Sequence, residues 1–155
     1  MDNNDIFRKL RFIFDYSDSD MIALFAEADL TVTRSQVSDW LKKEDDPVFR
    51  KLDDLHLAVF LNGLINRNRG KKEGVEVMPE KQLNNNIILR KLKIALNFRD
   101  EDMLDVLALA DLQISKHELS AFFRNPNQSQ YRPCHDQVMR NFLLGLQFKF
   151  RKNKG

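Results

Sequence analysis

The chain has 155 residues, of which 43% are hydrophobic and 31% charged, and its formal net charge at pH 7 is only +2. This composition supports one or two ordinary hydrophobic cores, excludes a disordered chain and gives no overall field for a polyanionic partner. No signal peptide or transmembrane run is recognisable, and the single cysteine cannot form an internal disulfide. We therefore expect a cytoplasmic protein.

The first segment of the chain returns in its second half. Residues 3–10 (NNDIFRKL) recur as residues 85–92 (NNIILRKL), and the residues that follow each copy match at the same offset without a gap. A supersecondary unit copied in tandem has this signature. Because each half is near the size at which a single core becomes marginal, we expect the two halves to depend on each other.

Each copy is predicted to contain four helices. The first helix, from Asp5 to about Tyr16, has apolar residues at helical spacing and takes Asn3 or Asn4 as its N-cap. Phe12 lies off the main apolar stripe, as does its counterpart Ile94. This pattern predicts a helix that is apolar on two sides and sits in the middle of the fold.

Capping residues mark the second and third helices. Ser17 or Asp18 is expected to cap the second helix, where paired carboxylates, repeated at positions 100 and 102, are explained by capping more simply than by catalysis or metal binding. Thr33 and Ser115 begin sequences with the spacing of a capping box. The third helix is therefore predicted to start there in both copies.

A glycine lies inside the fourth helix of each copy. This helix is expected to be capped at Asp53 or Asp54 in the first copy and at Asp136 in the second. Gly63 and Gly145 occupy the same place in the two copies, although glycine costs a helix interior about 1 kcal/mol relative to alanine. We predict that another helix passes there too closely for a Cβ atom.

These elements define the expected organisation of the chain. Residues 1–69 form the first helical repeat, residues 70–84 a charged linker and residues 85–155 the second repeat. The fold class is all-α, with two homologous four-helix units packed about a pseudo-twofold axis. Three apolar residues are expected to pin the linker to the surface: Val75, Val77 and Met78.

Five stretches carry a resemblance to a known family: residues 3–6, 18–30, 37–45, 60–65 and 84–92. With these stretches the chain resembles the YehS-like bacterial family, a family of unknown function (DUF1456), over essentially its whole length. The resemblance implies a duplicated helical cytoplasmic protein and brings no catalytic residues with it. Residues 122–126 have drifted from their counterparts 40–44, so the two halves need not do the same job.

The second and third helices of each copy, joined by a short turn, are similar in pattern to a helix-turn-helix. Polar and basic residues near the third helices could contact bases or phosphates: Arg34, Gln36, Lys42 and Lys116. Against this interpretation, the turn is about two residues longer than in the standard motif. Asp29 and Asp111 also stand where glycine is usual, and several acidic residues nearby would repel phosphate.

Basic residues also cluster at the ends of the fourth helices. They are Arg67, Arg69, Lys71 and Lys72 in the first copy, and Lys149, Arg151, Lys152 and Lys154 in the second. Their interaction with the helix dipole is a sufficient explanation. If the two ends met, however, they would form one basic patch able to hold the phosphates of a nucleic acid.

Catalytic and cofactor motifs are lacking in the sequence. Cys134-His135-Asp136 is the only adjacent set of Cys, His and carboxylate, but the first copy has Leu52-Asp53 in place of its first two residues. No phosphate loop, dinucleotide fingerprint or nucleophile elbow is present. We expect no cofactor, no metal and no catalytic residue.

The sequence leaves three functions open. The preferred one is a non-catalytic binding or adaptor protein whose partner is another protein, away from any membrane. The alternative is a nucleic-acid-binding regulator that uses the helix-turn-helix-like elements or the basic helix ends. An enzyme with a site assembled between the two halves is the third, since carboxylates scattered in sequence can converge in space.

Overall fold

Helices build both halves of the chain. The computed structural model describes residues 1–74 and 77–151, and none of these residues forms a β-strand. The chain divides into two compact units, Met1–Leu83 and Asn84–Gly155. The first contains α1 (Asn3–Phe14), α2 (Asp18–Glu27), α3 (Arg34–Leu41) and α4 (Asp54–Arg69), and the second α5 (Asn85–Ala95), α6 (Asp100–Leu109), α7 (Lys116–Ala121) and α8 (Asp136–Phe150). The predicted all-α class is confirmed.

Aromatic rings fill the core of the first unit. Phe7, Phe25, Trp40 and Phe60 come one from each helix and are at most 4% exposed. The Phe7 ring centroid lies 6.1 Å from that of Phe25, 6.2 Å from that of Trp40 and 4.9 Å from that of Phe60. Phe25 likewise has its ring near those of Phe7, Trp40 and Phe60, so the rings of α1 and α2 each contact the aromatic residues of the other three helices.

The core of the second unit has smaller side chains at two of the same four positions. Leu89 and Leu107 replace two phenylalanines, while Phe122 and Phe142 keep an aromatic ring, and all four are at most 9% exposed. The same helical arrangement is thus filled with less aromatic volume.

The first helix of each unit is buried on one side only. In α1 the buried residues are Asn4, Ile6, Phe7, Leu10 and Ile13. Phe12 is 47% exposed and Ile94 is 45% exposed. The expectation that a second apolar side places this helix at the centre is therefore not met within either unit.

The glycines of the fourth helices lie at close helix crossings. A Cβ atom on Gly63 would stand 1.7 Å from the carbonyl oxygen of Leu24 in α2. A Cβ atom on Gly145 would stand 2.0 Å from the carbonyl oxygen of Val106 in α6. Since real side chains never approach backbone oxygens so closely, only glycine fits, and the predicted close crossing is confirmed in both units.

Most of the predicted helix caps are confirmed. Ser17 caps α2 and Asp53 caps α4. Thr33 and Ser115 begin capping boxes, in which the hydroxyl accepts from the third helical N–H while that residue's side chain accepts from the cap N–H.

Two predicted caps are wrong. Asp2, not Asn3 or Asn4, caps α1, because its carboxylate accepts from the Asp5 N–H at 2.8 Å. His135 occupies the cap position of α8, and Asp136 is the first residue of that helix. In both places the residue one position earlier has the extended backbone that a cap requires.

The linker is held at its two ends. Near its start, the Lys71 ammonium lies 2.6 Å from an Asp29 carboxylate oxygen, and at its end the Leu83 N–H donates to Asp54 at 2.8 Å. Val77 and Met78 are largely exposed, so the prediction that they pin the linker is wrong. Val75, the third residue of that prediction, lies outside the described residues.

Candidate functional surfaces

An asparagine at the second position of the first helix fastens the loop between the third and fourth helices. The Asn4 amide donates to the carbonyl oxygens of Trp40 and Arg50, both at 2.9 Å, and accepts from the Leu52 N–H at 3.0 Å. Its side chain is fully buried. One amide thus binds a carbonyl oxygen in the last turn of α3 and two backbone groups near the end of the loop.

The second unit repeats this arrangement bond for bond. The Asn86 amide donates to the carbonyl oxygens of Phe122 at 3.0 Å and Arg132 at 2.9 Å, and accepts from the Cys134 N–H at 2.9 Å. Its neighbour Asn85 donates to Asp136 at 2.8 Å. The most conspicuous polar residues of the repeat therefore hold the fold and are not available to a ligand.

The repeated carboxylates at the start of the second helices serve as caps. Asp20 accepts from the Ser17 N–H at 2.9 Å, and this hydrogen bond holds the pKa of Asp20 below its usual range. Asp102 accepts from the Arg99 N–H at 2.7 Å. Within residues 1–74 and 77–151, no three His, Cys, Asp or Glu side chains are grouped so that they could hold a metal ion.

The helix-turn-helix-like elements depart from the DNA-binding motif in length. Residues 28–33 separate α2 from α3, which is longer than the usual turn of about four residues. Asp29 and Asp111 have left-handed backbone conformations, with φ of 64° and 60°. They adopt the conformation that glycine supplies in such turns. The α7 helix has only 6 residues, which leaves little length to lie in a groove.

The side chains proposed for base contact in the first unit have local partners. Arg34 is exposed, but it donates to the Ser19 hydroxyl at 3.2 Å and lies 3.5 Å from the Asp18 carboxylate. The Gln36 amide oxygen accepts from the Thr33 N–H at 2.8 Å. Reading a base with Gln36 would therefore cost the cap of α3.

The remaining proposed contacts near the third helices differ between the units. Lys42 is the half-buried C-cap of α3, and its carbonyl oxygen accepts from the Arg8 guanidinium at 2.7 Å. In the second unit, Lys116 is exposed and its ammonium lies 3.2 Å from a Glu101 carboxylate oxygen. Of these two ammonium groups, that of Lys116 is thus engaged by a carboxylate.

The basic end of α4 is partly engaged. The Arg67 guanidinium lies over the Tyr16 ring, 5.7 Å from its centroid. Lys71 forms the ion pair with Asp29 that holds the linker. Arg69 and Lys72 are exposed. Two of the four cations at this helix end are therefore able to turn toward an anionic partner.

The basic end of α8 is shorter. Lys149 is exposed, with its ammonium 5.9 Å from the centroid of the Phe150 ring, and Arg151 is the C-cap of the helix. Lys152 and Lys154 lie outside the described residues. Each basic end thus lies at the C-terminus of its helix, where positive charge complements the helix dipole.

The adjacent cysteine, histidine and aspartate do not form a reactive set. Burial raises the pKa of the Cys134 thiol to about 12, so it carries almost no thiolate at neutral pH. His135 is exposed, and the Asp136 carboxylate accepts the hydrogen bond from Asn85. This stretch caps and anchors α8.

Four large apolar side chains are exposed on α6 and α8, and one of them, Phe150, is the last residue of α8 and is 42% exposed. Leu109 is 48% exposed, Leu144 is 41% exposed and Phe148 is 48% exposed. We call these three residues the apolar cluster. Sequence reasoning missed the cluster, because helical periodicity assigns apolar residues to a core. The signal was in the repeat itself, since the first copy carries Glu27, Asn62 and Asn66 at the same positions.

No helix in the described part of the chain has both the length and the apolar character needed to cross a membrane.

The model of the family described as "Protein of unknown function (DUF1456)" matches residues 3–70 and again residues 85–152. The tandem repeat is thereby confirmed.

A relative is similar over the full length. It is the uncharacterized protein YehS of Escherichia coli (strain K12), which is 38% identical over 154 residues, covering 99% of each chain. No solved structure matches the chain significantly. From the two matches of the family model and this full-length relative, the chain belongs to the DUF1456 family.

Proposed function

We propose that this protein is a non-catalytic binding protein whose partner is another protein. The apolar cluster on the second unit carries the proposal. Each of its three side chains is more than two-fifths exposed: Leu109, Leu144 and Phe148. The first unit has polar residues at the same three positions of the repeat. Grouped exposed apolar side chains are typical of protein interaction sites.

The hydrogen bonds and pKa values of the polar residues support a non-catalytic role. The buried asparagines, the capping carboxylates and the Cys134 thiol all have structural tasks. A catalytic site requires titratable groups that converge on a pocket with shifted pKa values. Asp20 and Asp53, whose pKa values are lowered, cap helices, and Cys134, whose pKa is raised, is a buried thiol.

The proposal is tested by capturing partners with variants that carry the residues of the first unit. Leu109→Glu, Leu144→Asn and Phe148→Asn are combined in one tagged chain, and Met78→Asn, which removes an exposed apolar side chain from the linker, serves as the matched control. Captured proteins are identified by mass spectrometry after cross-linking in a nuclease-treated lysate. We expect proteins that bind the wild type and the control but not the triple variant.

Two results of this capture would overturn the proposal. One is the absence of any specifically bound protein, an untagged copy of this chain included, and the other is equal capture by the wild type and the triple variant. Helical circular dichroism of the triple variant shows that lost capture does not come from unfolding. The changed side chains are exposed, so we expect its spectrum to match that of the wild type.

Nucleic acid is the second candidate partner, favoured by the left-handed turn residues Asp29 and Asp111 and by the exposed cations at the helix ends. Fluorescence anisotropy against duplex DNA and single-stranded RNA at low and moderate salt tests it. Binding that weakens steeply with salt and falls with Arg69→Gln and Lys149→Gln, but not with Lys81→Gln in the linker, would support this candidate. Absence of binding at low salt would eliminate it.

A further inference from the structure

The apolar cluster stands on a close crossing of two helices. The Gly145 backbone touches the Val106 carbonyl oxygen, which leaves no gap between α6 and α8 at that point. In the first unit, the side chain of Asn66 reaches the carbonyl oxygen of Glu27 at 3.0 Å. Because the repeat is ungapped, positions 109 and 148 are neighbours in the same way, so the cluster spans both helices.

The fold itself does not require apolar residues at these positions. The first unit has the same crossing and carries Glu27, Asn62 and Asn66 at the three positions, of which Asn62 is buried at 7% exposed. Asn66 there bonds the carbonyl oxygen of the last residue of α2, whereas in the second unit Asn141 bonds the carbonyl oxygen of Ala110 at 3.0 Å. The second unit therefore has its hydrogen bond between the two helices on another turn of α8, and it carries a phenylalanine at position 148.

Charges of both signs flank the apolar cluster. Asp105 lies one turn before Leu109 on α6, and Arg140 lies one turn before Leu144 on α8; both are exposed. Within the described part of the chain neither forms an ion pair at contact distance, although a side-chain hydrogen bond and, more weakly, the Arg140 charge lower the pKa of Asp136 one turn earlier on α8. A surface of one sign would fit a partner of the other sign, but a surface with an acidic and a basic edge is complementary to itself.

We propose that the apolar cluster docks a second copy of the chain, with the two clusters facing each other across a twofold axis. The axis would bring Asp105 of one copy toward Arg140 of the other, twice per dimer. This inference rests on the proposed function and names the partner at its site. Stable dimers usually bury more than about 1,200 Å², so a cluster of three side chains with a charged rim predicts a weak, concentration-dependent dimer.

Sedimentation velocity of the full chain tests this proposal. From about 1 to 500 µM, a range suited to weak association, we expect the average mass of the wild type and of Met78→Asn to rise from 18.3 kDa toward twice that value. The chain with Leu109→Glu, Leu144→Asn and Phe148→Asn is expected to stay at 18.3 kDa. A wild type that remains monomeric throughout, or a triple variant that still dimerises, overturns the proposal.

Charge reversal tests the arrangement of the two copies. Asp105→Arg and Arg140→Asp alone should each weaken dimerisation about tenfold, because two exposed pairs are lost and each contributes about a factor of three. The double variant should recover the affinity of the wild type. If it does not, the twofold pairing is wrong. If dimerisation is absent while the lysate capture still depends on the apolar cluster, the proposed function stands with a different protein as the partner.

Discussion

The two units keep the same polar framework and differ in what fills and covers it. Asn4 and Asn86 make equivalent sets of three hydrogen bonds, and Gly63 and Gly145 sit at equivalent crossings. The core, by contrast, has four aromatic rings in the first unit and two in the second at the same positions. Directional bonds and backbone contacts admit one residue each, whereas a core accepts other shapes if its volume is filled.

The chain contains a separate natural probe for each unit. Trp40 is the single tryptophan and is buried in the first unit, so its fluorescence follows the unfolding of that unit. Cys134 is the single cysteine and is buried in the second unit, with its pKa raised to about 12. Its labelling by a thiol reagent requires opening of the second unit. The two units can therefore be compared in one protein.

Asn4→Ala should have the largest effect. It leaves the carbonyl oxygens of Trp40 and Arg50 and the N–H of Leu52 without their partner. At about 1 to 2 kcal/mol for each unsatisfied group, we expect a loss of about 4 kcal/mol in the free energy of unfolding. Urea unfolding followed by Trp40 fluorescence measures this loss. Asn86→Ala should lower the free energy of unfolding of the second unit by a comparable amount, which would appear as faster labelling of Cys134.

The equivalence of Asn4 and Asn86 would be contradicted if only one of these substitutions lowered the free energy of unfolding. A loss below about 1 kcal/mol for Asn86→Ala alongside a large loss for Asn4→Ala would mean that the second loop is held by other contacts. Ser35→Ala, at an exposed position of α3, is the control and should change the free energy of unfolding by less than about 0.5 kcal/mol.

Gly63→Ala and Gly145→Ala should have the next largest effect. The added Cβ would lie 1.7 Å from Leu24 O in one unit and 2.0 Å from Val106 O in the other, so the crossing helices must separate. We expect losses of about 3 kcal/mol in each case, despite the better helix propensity of alanine. Gln137→Ala, at an exposed site on α8, is the control, and an increase in the melting temperature of both glycine variants would contradict the crossing.

Exchanging core residues between the units tests how far each core has adapted. Phe7→Leu puts the residue of the second unit into the first, and we expect a loss of about 1.5 kcal/mol because the ring contacts three other aromatic rings. Leu89→Phe should cost a similar amount by overfilling the second core. If Leu89→Phe raised the free energy of unfolding, the second core would contain unfilled space.

The capping boxes and the close helix crossings could be predicted from the sequence, because their signals lie in residues that are close together in the chain. The capping boxes at Thr33 and Ser115 span three residues, and the glycines inside helices have an unfavourable propensity that demands a reason. Comparison of the two copies added the topology. These signals are short in sequence, so a single chain is sufficient to read them.

Long-range roles were hidden because the same residue type serves both local and distant partners. An asparagine in the first turn looks like a cap, yet Asn4 bonds to residues 36 and 46 positions away. The repetition of two asparagines was the available signal, since a cap needs only one. The apolar cluster escaped for a related reason, because periodicity gives the face of a helix but not whether a neighbour covers that face.

The smallest expected effect is the pH-dependent stabilisation by a charged capping box, which can be compared with a neutral capping box in the same unit. The hydrogen bond from the Ser17 N–H holds the pKa of Asp20 below its value in the unfolded chain. The stabilisation is therefore present above the ordinary pKa of 3.8 and is lost as the pH falls through the lower, folded pKa. Because Asp20 is exposed to water, we expect it to contribute only about 0.5 kcal/mol.

Urea unfolding at several pH values, followed by Trp40 fluorescence, measures this contribution. Asp20→Asn should lower the free energy of unfolding relative to the wild type at about pH 6. The difference should shrink as the pH falls below the ordinary pKa of 3.8, because the carboxylate is protonated first in the unfolded chain and at lower pH in the folded chain. Thr33→Ala is the matched control, because its box partner Gln36 does not titrate and its cost of about 1 kcal/mol should be independent of pH. A difference for Asp20→Asn that grows at low pH would contradict the lowered pKa, since it would require the folded state to favour the protonated carboxyl.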